Sequence, residues 1–237
     1  MTRLLPKYKS VLFFKFFLYF IFLSTSLEAQ TPIKKFEAED YSHKLYSTYE
    51  HKKTIPDNIK NQALTALSFY PELKDRRITF RFRKRKTPLS SRPRLFSLFK
   101  KKKNRRYVIT ISTKTISRLE PILFLNLPYN AQIGVLGHEI GHVVEYNQKT
   151  NLQIIGLGFK LLNASYVNNF EFNTDRISIE HGLGHQLYDW SSYVRHILNI
   201  EKWGGASNIS STNQRYMNPE TILSEMERYS IYQQADN

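Results

Sequence analysis

Cysteine is absent from the 237 residues of this chain. Its absence excludes disulfide bonds, thiolate metal ligands and a cysteine nucleophile, so a tightly bound transition metal must be held by histidine and carboxylate side chains. Such ligands suit zinc, among other metals. Beyond the N-terminal segment, the sequence also lacks an apolar run long enough to cross a bilayer. Because hydrophobic residues still make up 41% of the chain, a packed core is expected.

The N-terminal segment, residues 1–29, has the layout of a secretory signal peptide. A basic start precedes an apolar run over residues 11–23, which is shorter than the roughly 18–20 residues that a spanning helix needs. We expect cleavage after Ala29 and a single domain over residues 30–237; an uncleaved membrane anchor is the alternative. In both cases the domain is exported, as a periplasmic, secreted or membrane-anchored protein.

Acidic residues are almost absent from residues 74–106, the basic block. Sixteen lysine or arginine residues stand there against a single acid, Asp75, in a chain whose formal charge is +15. Such a block either binds an anionic membrane or polysaccharide surface or is simply the solvated face of a loop. Prolines and a run of lysines predict a long loop at residues 84–105. Export and the lack of a recognisable RNA-binding or zinc-finger motif give no reason to expect a nucleic-acid partner.

The hydrophobic pattern predicts an α+β fold, a small domain in which a short sheet packs on a helical part. Alternating residues predict strands at 77–83 and 106–112, and residues 122–127 form either a third strand or a buried connection. Residues at helical spacing predict six helices, over residues 57–70, 130–148, 151–168, 169–181, 184–200 and 218–232.

Residues 137–145, within the predicted helix 130–148, read G-H-E-I-G-H-V-V-E. Residues four apart share one face of a helix, so His138 and His142 can bind one metal ion, and Glu139 lies beside it as a base for water. The alternative is a pair of ordinary surface or core histidines. The apolar flanks oppose that alternative, because a buried His-Glu-His set without partners would be strongly unfavourable. One zinc ion satisfies this set most directly.

Catalysis by zinc requires a third protein ligand and an open position. Glu145 lies about 10 Å along the helix axis from His138, which is too far to close the site. Glu171 and Asp175 lie four residues apart in a later predicted helix, so they share a face. We therefore predict Glu171 as the third ligand, with Glu180 as the alternative, and Asp175 as the acceptor for the free N–H of a ligand histidine.

Together, the two segments resemble the gluzincin metallopeptidases, whose pattern is H-E-x-x-H followed by E-x-x-x-D. The stretch H-E-I-G-H-V is similar to the CAAX-prenyl-protease and heat-shock-protease branch, although the chain lacks the membrane core of that branch, and E-F-N-T-D is similar to the thermolysin form. The resemblance covers residues 130–190. It implies His138, His142 and Glu171 as zinc ligands, Glu139 as general base and acid, and Asp175 as the residue that orients a ligand histidine.

The resemblance also implies the activity of a zinc-dependent peptidase, which acts on a peptide or protein substrate. One of the predicted strands is expected to pair with extended substrate, and His185, Tyr166 and Arg176 are candidates for stabilising the oxyanion. Two other functions remain open. One is that of a non-catalytic zinc-binding exported protein, and the other is that of an adaptor that binds anionic surfaces through the basic block.

Overall fold

The computed structural model of the protein describes residues 32–37, 43–201, 203 and 214–233, and the predicted signal peptide lies outside them. These residues form the predicted α+β fold. The strands are β1 (Lys53–Thr54), β2 (Arg77–Arg83), β3 (Leu89–Pro93) and β4 (Arg106–Ser112). The helices are α1 (His43–Glu50), α2 (Lys60–Ser68), α3 (Tyr129–Gln148), α4 (Asn151–Lys160), α5 (Ala164–Glu180), α6 (Gly184–Leu198), α7 (Pro219–Met226) and α8 (Ser230–Gln233). No helix among them is long and apolar enough to cross a membrane.

The four strands form one sheet in the order β1-β2-β4-β3. The first three are mutually parallel, and β3 runs antiparallel to β4 at the edge. In β4 every residue from Tyr107 to Ser112 is buried, as expected of a central strand covered on both faces. In β2 only Ile78 and Phe80 are buried, in keeping with its alternating sequence. Both strands follow the sequence prediction.

The prediction of a loop over residues 84–105, which prolines and a run of lysines had suggested, is wrong in part, because the edge strand β3 lies within this segment. Pro88 and Pro93 are compatible with an edge strand, where a missing N–H need not break a ladder. The segment also contains a 3₁₀ turn, Leu95–Phe99. Of the two alternatives for residues 122–127, the buried connection is confirmed and the third strand is not: short 3₁₀ turns occupy this segment, and Ile122, Phe124 and Leu127 are buried.

Helix α3 lies at the centre of the fold and is buried along nearly its whole length. Its glycines allow neighbouring helices to approach closely. A Cβ atom added at Gly134 would lie 2.1 Å from the carbonyl oxygen of Gln186 in α6, and one at Gly141 would lie 3.1 Å from Thr174 in α5. Both neighbouring helices can therefore approach α3 at these glycines.

The predicted helix 151–168 is in fact two helices. Helix α4 begins at a capping box formed by Thr150 and Gln153 and ends at Lys160. Helix α5 begins after Asn163, whose side chain accepts a hydrogen bond from the backbone N–H of Tyr166 at 3.0 Å. An asparagine is a common N-cap, so this break was readable in the sequence. The residues predicted as a helix over 169–181 belong to the second half of α5.

Candidate metal centre

Helices α3 and α5 bring the predicted ligands together. His138 and His142 lie one turn apart on α3 and are both buried, and Glu171 projects from α5. We call these three residues the His-His-Glu cluster. One potential ligand atom from each of them lies within 4.8 Å of the other two. The close contact of the helices at Gly141 places the two ligand-bearing faces within reach of each other.

Two distances within the His-His-Glu cluster are close to the separation of two ligands in a metal coordination sphere. Oε2 of Glu171 lies 3.1 Å from Nε2 of His138 and 3.1 Å from Nε2 of His142. Two ligands of a tetrahedral zinc ion, with bonds of about 2.0 Å, lie roughly 3.3 Å apart. The observed separations are close to that value.

The outer nitrogens of both histidines have partners that fix the tautomer. Nδ1 of His138 lies 2.7 Å from Oδ1 of Asp175. Nδ1 of His142 lies 3.0 Å from the hydroxyl oxygen of Thr174, which donates its own hydrogen to the carbonyl of Phe170 at 2.9 Å. These partners favour a hydrogen on both Nδ1 atoms, and the neutral form of each ring then has the lone pair of Nε2 available for a metal ion. Asp175 thus takes its predicted position, whereas Thr174 was not predicted.

Electrostatics favour a cation at this point. Burial acts to lower the pKa of His138, but its hydrogen bonds with Asp175 and Glu171 more than offset that effect and raise the pKa to about 10. Burial also acts to raise the pKa of Glu171, but His142 and His138 hold it well below its usual range. Both shifts indicate that positive charge is stabilised around the carboxylate of Glu171.

Protons on the histidines supply this positive charge less well than a single metal ion would. A proton on His138 serves one contact of Glu171 and leaves Nε2 of His142 facing the same carboxylate oxygen. A second proton would charge both imidazoles, whose ring centroids are only 4.8 Å apart. A single divalent cation would serve all three ligand atoms, so the cluster fits a metal of the type that His₂Glu sites bind.

Glu139 lies next to the cluster in the same cavity. This cavity has a volume of about 220 Å³, and its walls include His138, Glu139, His142 and Glu171. Oε2 of Glu139 is buried and has no hydrogen-bond partner. Burial raises the pKa of this carboxyl group, although the two histidines and the nearby hydroxyl of Ser91 oppose the shift. An unpartnered buried carboxylate oxygen is costly, and such atoms occur where a group awaits a proton or a ligand.

The edge strand β3 forms one wall of this cavity, to which Leu89, Ser90 and Ser91 contribute. The ladder bonds from Ser112 N to Pro88 O and from Arg94 N to Arg106 O fix which residues pair with β4. By alternation along an antiparallel pair, the backbone groups of Leu89 and Ser91 point away from β4, toward the side of β3 that pairs with no strand among the described residues. The carbonyl of Ser91 accepts a hydrogen bond from the hydroxyl of Tyr146 at 3.4 Å.

Tyr216 lies in the cavity wall and was not predicted from the sequence. Its ring centroid is 5.5 Å from that of His138. Burial, together with the nearby carboxylates of Glu171 and Glu139, raises the pKa of Tyr216 well above its ordinary value, so the phenol stays protonated. Asp175 fixes the segment that carries this tyrosine, because its Oδ2 accepts a 2.8 Å hydrogen bond from the backbone N–H of Met217. No periodicity or motif connects this segment to the metal-binding motif in the sequence.

The other residues considered from the sequence lie outside the cavity wall. His185 packs against Tyr232, and Tyr166 stacks on Phe170. Arg176 contacts Glu225 at 3.4 Å. Glu180, the alternative ligand, accepts a hydrogen bond from Tyr229 at 3.0 Å and is exposed, and it is not one of the residues that the cluster brings together.

Comparison of the chain with models of protein families, with curated proteins and with solved structures gives no match in any of the three.

Proposed function

We propose that the protein is a zinc-dependent peptidase of gluzincin type, exported from the cell. One observation carries the proposal: the three ligand atoms of the His-His-Glu cluster converge beside the buried, unpartnered carboxylate oxygen of Glu139. A site that only bound zinc for stability would have no need of this fourth side chain.

His138, His142 and Glu171 would hold the zinc ion, with Asp175 and Thr174 fixing the two histidines. When bound, zinc supplies a Lewis acid that polarises a carbonyl group and lowers the pKa of water toward about 7. Glu139, strand β3 and Tyr216, which line the cavity, would supply the proton transfer, the substrate binding and the oxyanion donor.

Glu139 is the proposed general base and acid. It takes a proton from the attacking water and returns it to the leaving amine, so that no net proton is consumed by the carboxylate. Its burial favours this role, because burial raises the pKa of the carboxyl group toward the range in which it can both accept and donate.

The open edge of β3 is the proposed binding site for the peptide backbone. The outward N–H and C=O groups of Leu89 and the N–H of Ser91 can extend the sheet by one strand of substrate along the cavity, and that strand would compete with Tyr146 for the carbonyl of Ser91. Phe170, Trp190 and Trp203 also line the cavity, and these aromatic side chains favour an apolar substrate side chain next to the scissile bond.

Tyr216 is the proposed donor to the oxyanion. Its phenol is held neutral by the surrounding carboxylates and lines the same cavity as Glu139. A neutral hydroxyl near the reacting carbonyl can donate a hydrogen bond to the charge that develops there. This assignment replaces His185, Tyr166 and Arg176, whose contacts lie elsewhere.

Metal analysis combined with hydrolysis of a peptide library tests the proposal. The wild-type protein should bind zinc stoichiometrically and cleave peptides. Glu139→Gln should retain zinc and lose about 10²–10⁴-fold in turnover, whereas Glu171→Ala should lose both. Glu145→Gln is the matched control, because Glu145 belongs to the same helix but pairs with Lys149 outside the cavity wall.

Three outcomes would contradict the proposal in different ways. No metal in the wild type would remove the site altogether. Zinc that is retained with no cleavage of any peptide would favour the non-catalytic alternative. Stoichiometric iron in place of zinc would favour an oxygenase, because two histidines and one carboxylate also form the ligand set of non-haem iron enzymes.

A further inference from the structure

A second surface combines exposed apolar side chains with lysines. In the 3₁₀ turn Leu95–Phe99, Phe96 and Phe99 are 82% and 85% exposed, and the exposed lysine run 100–103 follows directly. Four exposed apolar residues lie in α4, whose first residue is hydrogen-bonded to Lys100, and in the turn after it. The apolar–basic surface, as we call it, consists of Phe96, Phe99, the lysine run 100–103, Leu152, Ile155, Phe159 and Leu162.

Hydrogen bonds hold its two parts together. The side-chain amide of Asn151, the first residue of α4, donates to the carbonyl of Lys100 at 3.0 Å. The ammonium group of Lys102 donates to the carbonyl of Gln148 at 3.0 Å. Arg105 is buried and donates to the carbonyl of Tyr146 at 2.6 Å. The segment that carries the lysines is thus fixed against the start of α4.

The outer face of α4 is a formed apolar helix face without a partner among the residues described. Leu152, Ile155 and Phe159 recur at helical spacing on it and are exposed, whereas Ile154 and Leu157 on the other side are buried. Leu152 and Phe159 are 80% and 72% exposed. A contiguous exposed apolar patch of this kind typically marks a site of interaction.

We propose that the apolar–basic surface binds an anionic lipid bilayer. The phenylalanines and leucines would enter the boundary between headgroups and acyl chains, and the lysines would contact anionic headgroups. A soluble polyanion would engage the lysines but leave the phenylalanines in water. A second copy of the chain would cover the apolar face but bring two lysine runs together, which like-charge repulsion opposes.

The fold divides the basic block and so provides a matched control. Strands β2 and β4 pair in parallel over their full length, from Arg77 opposite Arg106 to Arg83 opposite Ser112. The lysine run 100–103 precedes β4, whereas Lys84 and Lys86 follow β2. These two groups therefore lie at opposite ends of the sheet, about 20 Å apart along a strand of this length.

Tryptophan fluorescence of the full chain tests the proposal. Phe99→Trp reports on the apolar–basic surface. Leu125→Trp is its control, because Leu125 is also exposed but lies just before the N-terminal end of α3, whereas α4 follows the C-terminal end. The wild-type signal of Trp190 and Trp203 is subtracted. Vesicles of phosphatidylcholine with roughly one third phosphatidylglycerol are compared with vesicles of phosphatidylcholine alone, at about 0.1 M and about 1 M salt.

The anionic vesicles should shift the emission of Phe99→Trp to shorter wavelength at low salt and not at high salt, and should leave Leu125→Trp unchanged. Adding Lys101→Gln with Lys103→Gln should weaken this binding about 20-fold, and adding Lys84→Gln with Lys86→Gln should weaken it far less. In co-sedimentation, Phe96→Ala with Phe99→Ala should cost about tenfold or more in vesicle affinity.

Four results would overturn the proposal. They are no shift in Phe99→Trp, an equal shift in Leu125→Trp, equal losses from the two lysine pairs, and a shift that depends on protein concentration without lipid. A chain held on vesicles by its N-terminal segment alone would also give no shift in Phe99→Trp. A shift that depends on protein concentration without lipid would indicate a second copy as the partner. Circular dichroism of each variant checks that it is folded.

Discussion

At the scale of single residues, Asp175 connects two parts of the proposed site. One carboxylate oxygen lies 2.7 Å from Nδ1 of His138, and the other accepts the backbone N–H of Met217 at 2.8 Å. The same side chain therefore orients a proposed zinc ligand and anchors the segment that carries Tyr216. Its role in the site is wider than the orientation of a histidine.

The hydroxyl of Tyr216 is expected to act on turnover rather than on metal binding. Tyr216→Phe keeps the ring that packs against His138 and Trp190 and removes only the O–H. We expect kcat to fall about 10²-fold or more, as for other oxyanion donors, with zinc content and KM nearly unchanged. Steady-state kinetics beside metal analysis measure both. A loss of zinc, or an unchanged kcat, would contradict the assignment.

Thr174 should affect metal affinity through His142. Thr174→Val is nearly isosteric and removes the acceptor that holds Nδ1 of His142 at 3.0 Å. Outer partners of metal-binding histidines are typically worth about 10- to 100-fold in affinity. Competition with a chromophoric chelator would measure this loss. Ser178→Ala is a suitable control, since Ser178 lies one turn further along α5 and its hydroxyl donates to the carbonyl of Thr174 at 3.3 Å.

At the scale of elements, the packing of α3 on α6 depends on Gly134. A Cβ atom there would lie 2.1 Å from the carbonyl oxygen of Gln186, which is backbone and cannot rotate away. Gly134→Ala should therefore destabilise the fold, by about 1–3 kcal/mol from overpacking. Gly156→Ala in α4 meets nothing within 4 Å and should stabilise the protein slightly. Urea unfolding of the two variants would compare them directly.

The end of α5 is joined to the segment after α2 by a titrating pair. Nε2 of His181 lies 3.0 Å from Oε1 of Glu72. Burial acts to lower the pKa of His181, but Glu72 more than offsets this and raises it above 6.5. Burial likewise acts to raise the pKa of Glu72, but His181 holds it below 4.5.

Stability from this pair should therefore be largest between the two ordinary values, about pH 4.5 and 6.5. The part from His181 is lost as the pH rises through its raised pKa, and the part from Glu72 is lost as the pH falls through its lowered one. His181→Gln should cost about 1 kcal/mol near pH 6 and less at pH 9. Unfolding curves at both pH values test this, and a pH-independent difference would refute it.

At the scale of the whole molecule, a metal at the His-His-Glu cluster would join α3 to α5. A ligand that binds the folded state alone raises stability with its concentration relative to Kd, by about 2.7 kcal/mol at one hundred times Kd. A strong chelator should therefore lower Tm of the wild type. It should leave Tm of Glu171→Ala unchanged, and calorimetry with and without chelator would decide between these results.

Much of the fold and of the candidate site could be predicted because the signals were local. The 3.6-residue period located α3. Helix geometry alone places His138 and His142 on one face of their helix, and Glu171 and Asp175 on one face of theirs. The edge strand was missed because prolines obscured it, although they are tolerated at a sheet edge. The connection at residues 122–127 was ambiguous because a short apolar run fits either a strand or a buried turn.

The sequence by itself determined the types of the proposed ligands, because a chain without cysteine must bind a transition metal through histidine and carboxylate. It also determined the helices that carry them, because their apolar residues recur with a 3.6-residue period. Only the tertiary structure decided which groups surround the site. Thr174, Tyr216 and the free edge of β3 reach the cavity from separate segments, and their positions depend on how helices and strands pack rather than on local periodicity. The same packing split the basic block between two ends of the sheet and placed one part beside the exposed apolar face of α4.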